Sequence, residues 1–183
     1  MTQAKFFRRA PAALLLAVLS LAVAGCGRSA KEEMAASYCP IPFTVQDAVS
    51  LTRFGPGPGR DPRDVVFEAG LGDATSECAL GKNLMTLTLR VTVAASAGPA
   101  VGAGAVSVPY FVRVIDGSGQ IVQGREFGAT FKLSASKPRG ASVEELTLRL
   151  PFDKPADVSY YRIAVGLKPT QEELEYNRRS AGH

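Results

Sequence analysis

The chain has 183 residues, 46% hydrophobic and 21% charged, with 21 basic against 17 acidic side chains and a single histidine. That balance suits a globular domain and is too apolar for a disordered one. The one histidine, His183, is the last residue, which leaves no imidazole inside the chain for a Ser-His-Asp relay or a two-histidine zinc motif.

The first 25 residues have the three-part order of an export signal. Lys5, Arg8 and Arg9 form a positive segment, and Ala12 to Ala24 is apolar apart from Ser20. About 13 apolar residues are too few to cross a hydrocarbon core of about 30 Å, so the segment reads as a removable signal. Val23-Ala24-Gly25-Cys26 then brings small residues up to a cysteine. These four residues resemble the lipobox of bacterial lipoproteins, which implies cleavage before Cys26 and lipidation of its thiol. An ordinary secretory signal would instead leave Cys26 as a free thiol, which secreted proteins usually avoid. Arg8-Arg9 lacks the flanking residues of a twin-arginine signal, so Sec export is expected. Removing residues 1–25, with three basic residues and no acidic one, leaves 18 basic against 17 acidic. A near-neutral chain offers no basic stripe for nucleic acid, and membrane attachment falls to the lipid.

Gly27 to Ser37 is small, charged and aperiodic, and reads as a flexible tether. Cys39 and Cys78 are then the two cysteines left, and in an oxidising compartment an even pair predicts a disulfide. From Tyr38 to about Lys168 apolar residues recur with period two, the mark of half-buried strands. The clearest is Leu84 to Val93, with Leu87, Leu89, Val91 and Val93 on one face and Thr86, Thr88, Arg90 and Thr92 on the other. Phe127 to Leu133, Leu146 to Phe152 and Tyr161 to Leu167 alternate in the same way. Asp64 to Leu71 and Thr75 to Leu80 are expected to form an early pair. Val106 to Ile115 is apolar on both faces, as in a central strand, although Pro109 argues for an edge or a bulge. Phe43 to Phe54 reads as a strand, with a short helix as the alternative.

The connectors carry turn chemistry. Asp116-Gly-Ser-Gly119 predicts a hairpin, Gly55 to Pro62 a rigid loop, and Ala94 to Ala105 and Ser134 to Ala141 longer connections. At the end, Thr170 and Glu173 form a capping box, and Arg178 and Arg179 suit a helix C-terminus, so a helix is predicted over 171–179. Leu174 and Tyr176 would dock it. The expected layout is a signal peptide over 1–25, a tether over 26–37, a β-sandwich over 38–168, and a helix and tail over 169–183. The fold class is all-β, an antiparallel sandwich of seven or eight strands with a short C-terminal helix.

Two resemblances follow. The strand count and Val158-Ser-Tyr-Tyr-Arg-Ile-Ala-Val165 look like immunoglobulin or fibronectin type III sandwiches. Cys39-Pro40, Leu51 to Asp61, Cys78, Gly98-Pro-Ala100, Pro109-Tyr-Phe-Val112 and Leu174 to Arg179 resemble a family of small alphaproteobacterial lipoproteins of unknown function. That likeness supports the address and implies no chemistry.

No catalytic or metal-binding set stands out. Ser134-Ala-Ser-Lys137 has the Ser-x-x-Lys spacing of penicillin-interacting enzymes, but Pro138 follows and a loop context replaces the required helix. Asp61, Asp64, Glu68 and Asp116 fall short of the six to eight oxygens that calcium takes. Glu144-Glu145 and Glu172-Glu173 read as solvated faces. Gly98 to Gly104 lacks the lysine and helix of a phosphate loop. Tyr110, Phe111, Tyr160 and Tyr161 read as packing, with an exposed Tyr160 or Phe111 as a possible anchor for a partner.

No catalytic residue and no cofactor are expected. The reading is a lipid-anchored envelope protein acting through protein contacts, facing the periplasm. Gly27 after the cysteine favours the outer membrane over the inner by the enterobacterial sorting rule. The alternative is a ligand-binding lipoprotein holding a small solute, sugar or lipid.

Overall fold

A computed structural model describes residues 29–181; Cys26, the signal segment and His183 lie outside them. In chain order the elements are α1 (Ala30–Tyr38), β1 (Pro42–Thr44), β2 (Ser50–Phe54), β3 (Val65–Leu80), β4 (Leu84–Ala97), β5 (Ala105–Ile115), β6 (Ile121–Lys132), β7 (Arg139–Pro151), β8 (Arg162–Leu167) and α2 (Gln171–Ala181). Short 3-10 turns at Gln46–Ala48, Pro62–Asp64 and Pro155–Tyr160 join them.

The strands make two four-stranded sheets, ordered β1-β8-β5-β6 and β2-β3-β4-β7. All pairings are antiparallel except β1 with β8. Period two sets which side chains lie between the sheets. Along β4, Met85, Leu87, Leu89, Val91 and Val93 are fully buried while their alternates face out. Opposite them, Val108, Tyr110, Val112 and Val114 of β5 and Ile163 and Val165 of β8 fill the same core. Each large aliphatic side chain withdrawn from water in this way contributes about 1.5–3 kcal/mol.

Several expectations are corrected. The predicted early pair is one 16-residue strand, β3, which pairs with β4 on both sides of a register shift between Leu71 and Ala74. Gly72 and Asp73 form the irregularity, and the extra residue flips the alternation, so one strand reads as two. The Phe43 to Phe54 segment holds two strands in different sheets, β1 and β2, joined by a 3-10 turn in which Ala48 is buried. The strand order also departs from the immunoglobulin and fibronectin pattern, where the last two strands form a hairpin in one sheet. Here β7 and β8 lie in different sheets, and β8 pairs with β5.

The described part of the expected tether, from Ser29, is helical. The Ser29 hydroxyl accepts from the Glu32 N–H at 3.3 Å and the Glu32 carboxylate accepts from the Ser29 N–H at 2.8 Å, a closed capping box. Ala35 is buried against the core, which holds this short helix in place.

Pro109 sits in the central strand β5 without harm. Its carbonyl accepts from Lys168 N–H at 2.8 Å, so its nitrogen faces the last rung beside β8, where only a terminal bond is forgone.

Three of the four sheet edges are protected, in two ways. Edge strand β2 is covered by α2: the Asn177 amide donates to the Ser50 carbonyl at 2.8 Å, Tyr176 stacks edge-on to Phe54 at 4.9 Å, and Arg178 pairs with Asp47 at 2.9 Å. On the other side of the sandwich, β6 and β7 are long, adjacent edges carrying Arg125 and Glu144 at inward-facing positions, since these pair with buried Val112 and Val91. Charges placed inward discourage indiscriminate strand addition.

Candidate functional site

The described region nearest Cys26 in sequence is one end of the sandwich. It is built from α1, the β3–β4 turn at 81–83, the β5–β6 hairpin at 116–120 and the β7–β8 crossover at 152–161. α1 packs on β3 and on the crossover's 3-10 turn, where Val158 is fully buried. The Cys39–Cys78 disulfide, with Cα atoms 5.6 Å apart, ties the C-terminus of α1 to β3. The Ser76 hydroxyl donates to the Pro40 carbonyl at 2.7 Å beside it. In the hairpin, one Asp116 carboxylate oxygen accepts from the Ser118 hydroxyl at 2.7 Å and from the Ser118 and Gln120 N–H groups at 2.9 Å. The Ser118 hydroxyl is the main reason that this carboxyl lies below its ordinary value. Gly119, at φ +86°, supplies the left-handed residue that closes the turn. Asp116 is thus a turn former, committed to its own backbone.

Elsewhere the candidate chemical groups are, Glu68 apart, engaged structurally. The Ser134 hydroxyl accepts from the Lys137 N–H at 3.0 Å and closes a loop turn, so the Ser-x-x-Lys pair shares no helix face. Asp61 and Asp64 cap a 3-10 turn, and Arg63, donating through its side chain, holds the Asp61 carboxyl below its ordinary value. Glu68 is exposed on the outer face of β3. Glu144 and Glu145 point to opposite faces: Glu144 accepts from the Ser142 hydroxyl, and Glu145 pairs with Arg90 at 3.0 Å. Glu172 pairs with Arg60, and Glu173, buried, pairs with Arg53. Among the described residues no group of three His, Cys, Asp or Glu is placed to hold a metal ion. Also among them, no helix is long and apolar enough to cross a membrane.

The aromatic residues divide. Tyr110 is buried and stacks on Phe127 at 5.3 Å, and burial pushes its hydroxyl up to about 12. Phe111 lies under the Arg113 guanidinium at 5.1 Å, and Tyr161 packs against the core. Tyr160 is exposed. Gly98 approaches the backbone of Val65 so closely that a Cβ would strike the Val65 carbonyl oxygen, which accounts for a glycine there without any phosphate. Sequence reasoning missed the buried Arg53–Glu173 pair and Arg60. Glu173 was legible as a capping residue, but nothing local showed that β2 would lie beneath it.

A groove of about 510 Å³ crosses the outer face of the β2-β3-β4-β7 sheet, floored by Gly70, Ala94 and Ala141 and edged by Glu68, Ser96 and Arg139.

The molecule is therefore a disulfide-bonded, mostly antiparallel two-sheet domain closed at one end by a capped helix. No known protein family, curated protein or solved structure matches the chain.

Proposed function

We propose that this is a lipid-anchored protein of the bacterial cell envelope, cut before Cys26, acylated there, and acting by contact with other envelope proteins without catalysis. The carrying observation is the distance in chain between anchor and fold. The capping box of α1 opens at Ser29, so the described fold reaches to within three residues of Cys26. A domain held so close to a lipid suits a fixed post on a membrane. The disulfide supports an oxidising compartment, hence the periplasmic face. Gly27 favours the outer membrane, and the resemblance to small alphaproteobacterial lipoproteins supports the lipid anchor. The long β6 and β7 edges on one side offer backbone groups to which a partner strand could add.

The second reading, a lipoprotein that holds a solute, sugar or lipid, is favoured by the 510 Å³ groove, a volume within the range of ligand sites. The groove is an open outer surface, while the space between the sheets is filled by fully buried side chains. This favours the contact reading.

Mass spectrometry of the native product tests the anchor: an acylated Cys26 at the N-terminus is expected, and an unmodified terminus or another cleavage site rejects it. A photo-crosslinker at Thr147 on β7, activated in intact cells, should give one discrete adduct with an envelope protein. Its absence there and at Gly128 on β6 would remove the contact reading.

A further inference from the structure

We propose that the α1 end of the domain is itself a membrane-contact surface, whose apolar side chains enter the interfacial layer of the bilayer that holds the Cys26 lipid. This rests on the lipid-anchor reading and adds an orientation to it.

Six large hydrophobic residues are exposed among the described residues: Met34 at 50%, Ile41 at 83%, Ile121 at 61%, Val122 at 53%, Tyr160 at 66% and Val143 at 63%. Five of them belong to the α1 end. Met34 is on α1, and Ile41 lies two residues beyond the disulfide-bonded Cys39. Ile121 and Val122 open β6 just after the Asp116 hairpin, and Ile121 pairs with Ile115. Tyr160 lies against Gly117 of the same hairpin, at the end of the crossover turn that packs on α1. Only Val143 lies elsewhere, on the outer face of β7. The opposite end, formed by the loops at 55–64, 98–104 and 133–138, contributes none of the six.

Chain length says what covers these residues. Three residue steps separate Cys26 from Ser29, and an extended chain spans at most about 3.6 Å per residue, so the N-cap of α1 lies within about 11 Å of the acylated residue. The headgroup layer on each side of a bilayer is about 5–8 Å thick. The α1 end is therefore the part of the described fold held nearest the membrane surface. Apolar groups at that depth lose contact with water, and a tyrosine at the boundary keeps its hydroxyl wet.

The charges near this end are mixed: Lys31, Lys82 and Lys154 stand among Glu32, Glu33, Asp153 and Asp157. Such a surface gains little from anionic lipid, unlike a polybasic anchor, so the contact should persist in neutral vesicles and high salt. Seated this way, the domain stands on its end, with the β6 and β7 edges rising away from the membrane.

The chain contains no tryptophan, so single introduced tryptophans report without background. Lipidated mature protein carrying Tyr160→Trp or Val143→Trp would be reconstituted into vesicles of phosphatidylethanolamine and phosphatidylglycerol containing acyl-brominated lipid. At a depth of about 5–10 Å, typical of interfacial apolar side chains, the Tyr160→Trp emission should shift to the blue and be quenched at least about twofold more than that of Val143→Trp. Ile121→Trp should behave as Tyr160→Trp does, which guards against a local misfolding effect. Protein that floats with the vesicles while Tyr160→Trp and Val143→Trp emit alike overturns the proposal and leaves the anchor intact. Protein that stays in solution overturns the anchor, and the orientation with it. A blue shift without lipid quenching that grows with protein concentration assigns the surface to a second copy and rejects the membrane.

Discussion

Arg53 of β2 and Glu173 of α2, 120 residues apart, form an ion pair whose carboxylate is only 6% exposed. The same carboxylate accepts from the Thr170 N–H at 2.8 Å, so one side chain both caps α2 and fastens it over the β2 edge.

Removing that carboxylate should loosen the helix from the edge. Glu173→Ala is expected to cost about 2 kcal/mol, through the lost cap and an arginine left facing a partly buried site. Glu172→Ala, which removes only the exposed partner of Arg60, should cost less than about 0.5 kcal/mol. Urea unfolding midpoints at a common slope would separate the two, and equal losses would show that burial at Glu173 is unimportant.

The disulfide closes a loop with a sequence separation of 39. On the chain-entropy account, its loss should destabilise the domain by about 4 kcal/mol. The double variant Cys39→Ala/Cys78→Ala should unfold at a clearly lower urea concentration than the oxidised protein. Adding reductant to the oxidised protein should lower its midpoint similarly, while the double variant should not respond.

Two glycines of one loop should differ sharply. A Cβ at Gly98 meets the carbonyl and side chain of Val65, whereas a Cβ at Gly102 meets nothing within 4 Å. Gly98→Ala should therefore cost about 2 kcal/mol or more, because backbone must move, and Gly102→Ala should be near neutral. Thermal denaturation of both variants checks this, and equal melting temperatures would mean the loop yields freely.

Tyr110 supplies a pH dependence at the alkaline end. Its folded-state hydroxyl is raised to about 12 from the ordinary 10, first by burial and then by the nearby Glu144. The folded state thus holds a proton that the unfolded chain releases, and this contribution is complete below pH 10. It is lost as pH rises through about 12, with a ceiling on the order of 3 kcal/mol for a two-unit shift. Tyr110→Phe should flatten the fall in stability between pH 10 and 12, measured by urea midpoints across that window. An unchanged slope would place the fall on other groups.

Much of the local structure was legible. The alternation at Leu87, Leu89, Val91 and Val93 predicts β4, and its partner β7 and the β8 strand of the other sheet read in the same way, because period two records which side of a strand faces the core. The Thr170–Glu173 cap marked the start of α2. Other features were hidden for stated reasons. The irregularity at Gly72 and Asp73 broke the phase of β3, and α1 lacks an apolar stripe, so only the Ser29–Glu32 capping spacing signalled it. The exposure of Met34, Ile41 and Tyr160 was not readable, since an apolar residue beside a turn is as readily buried as exposed.

The order of residues alone determined where most strands run and where α2 is capped, because these depend on neighbours a few positions apart. The tertiary structure alone decided that β1 and β2 join different sheets, that α2 lies over β2, and that the exposed apolar side chains gather at the α1 end. Those outcomes join segments up to 131 residues apart. They are set by which faces can be buried together, a competition among long-range packings that no local period records.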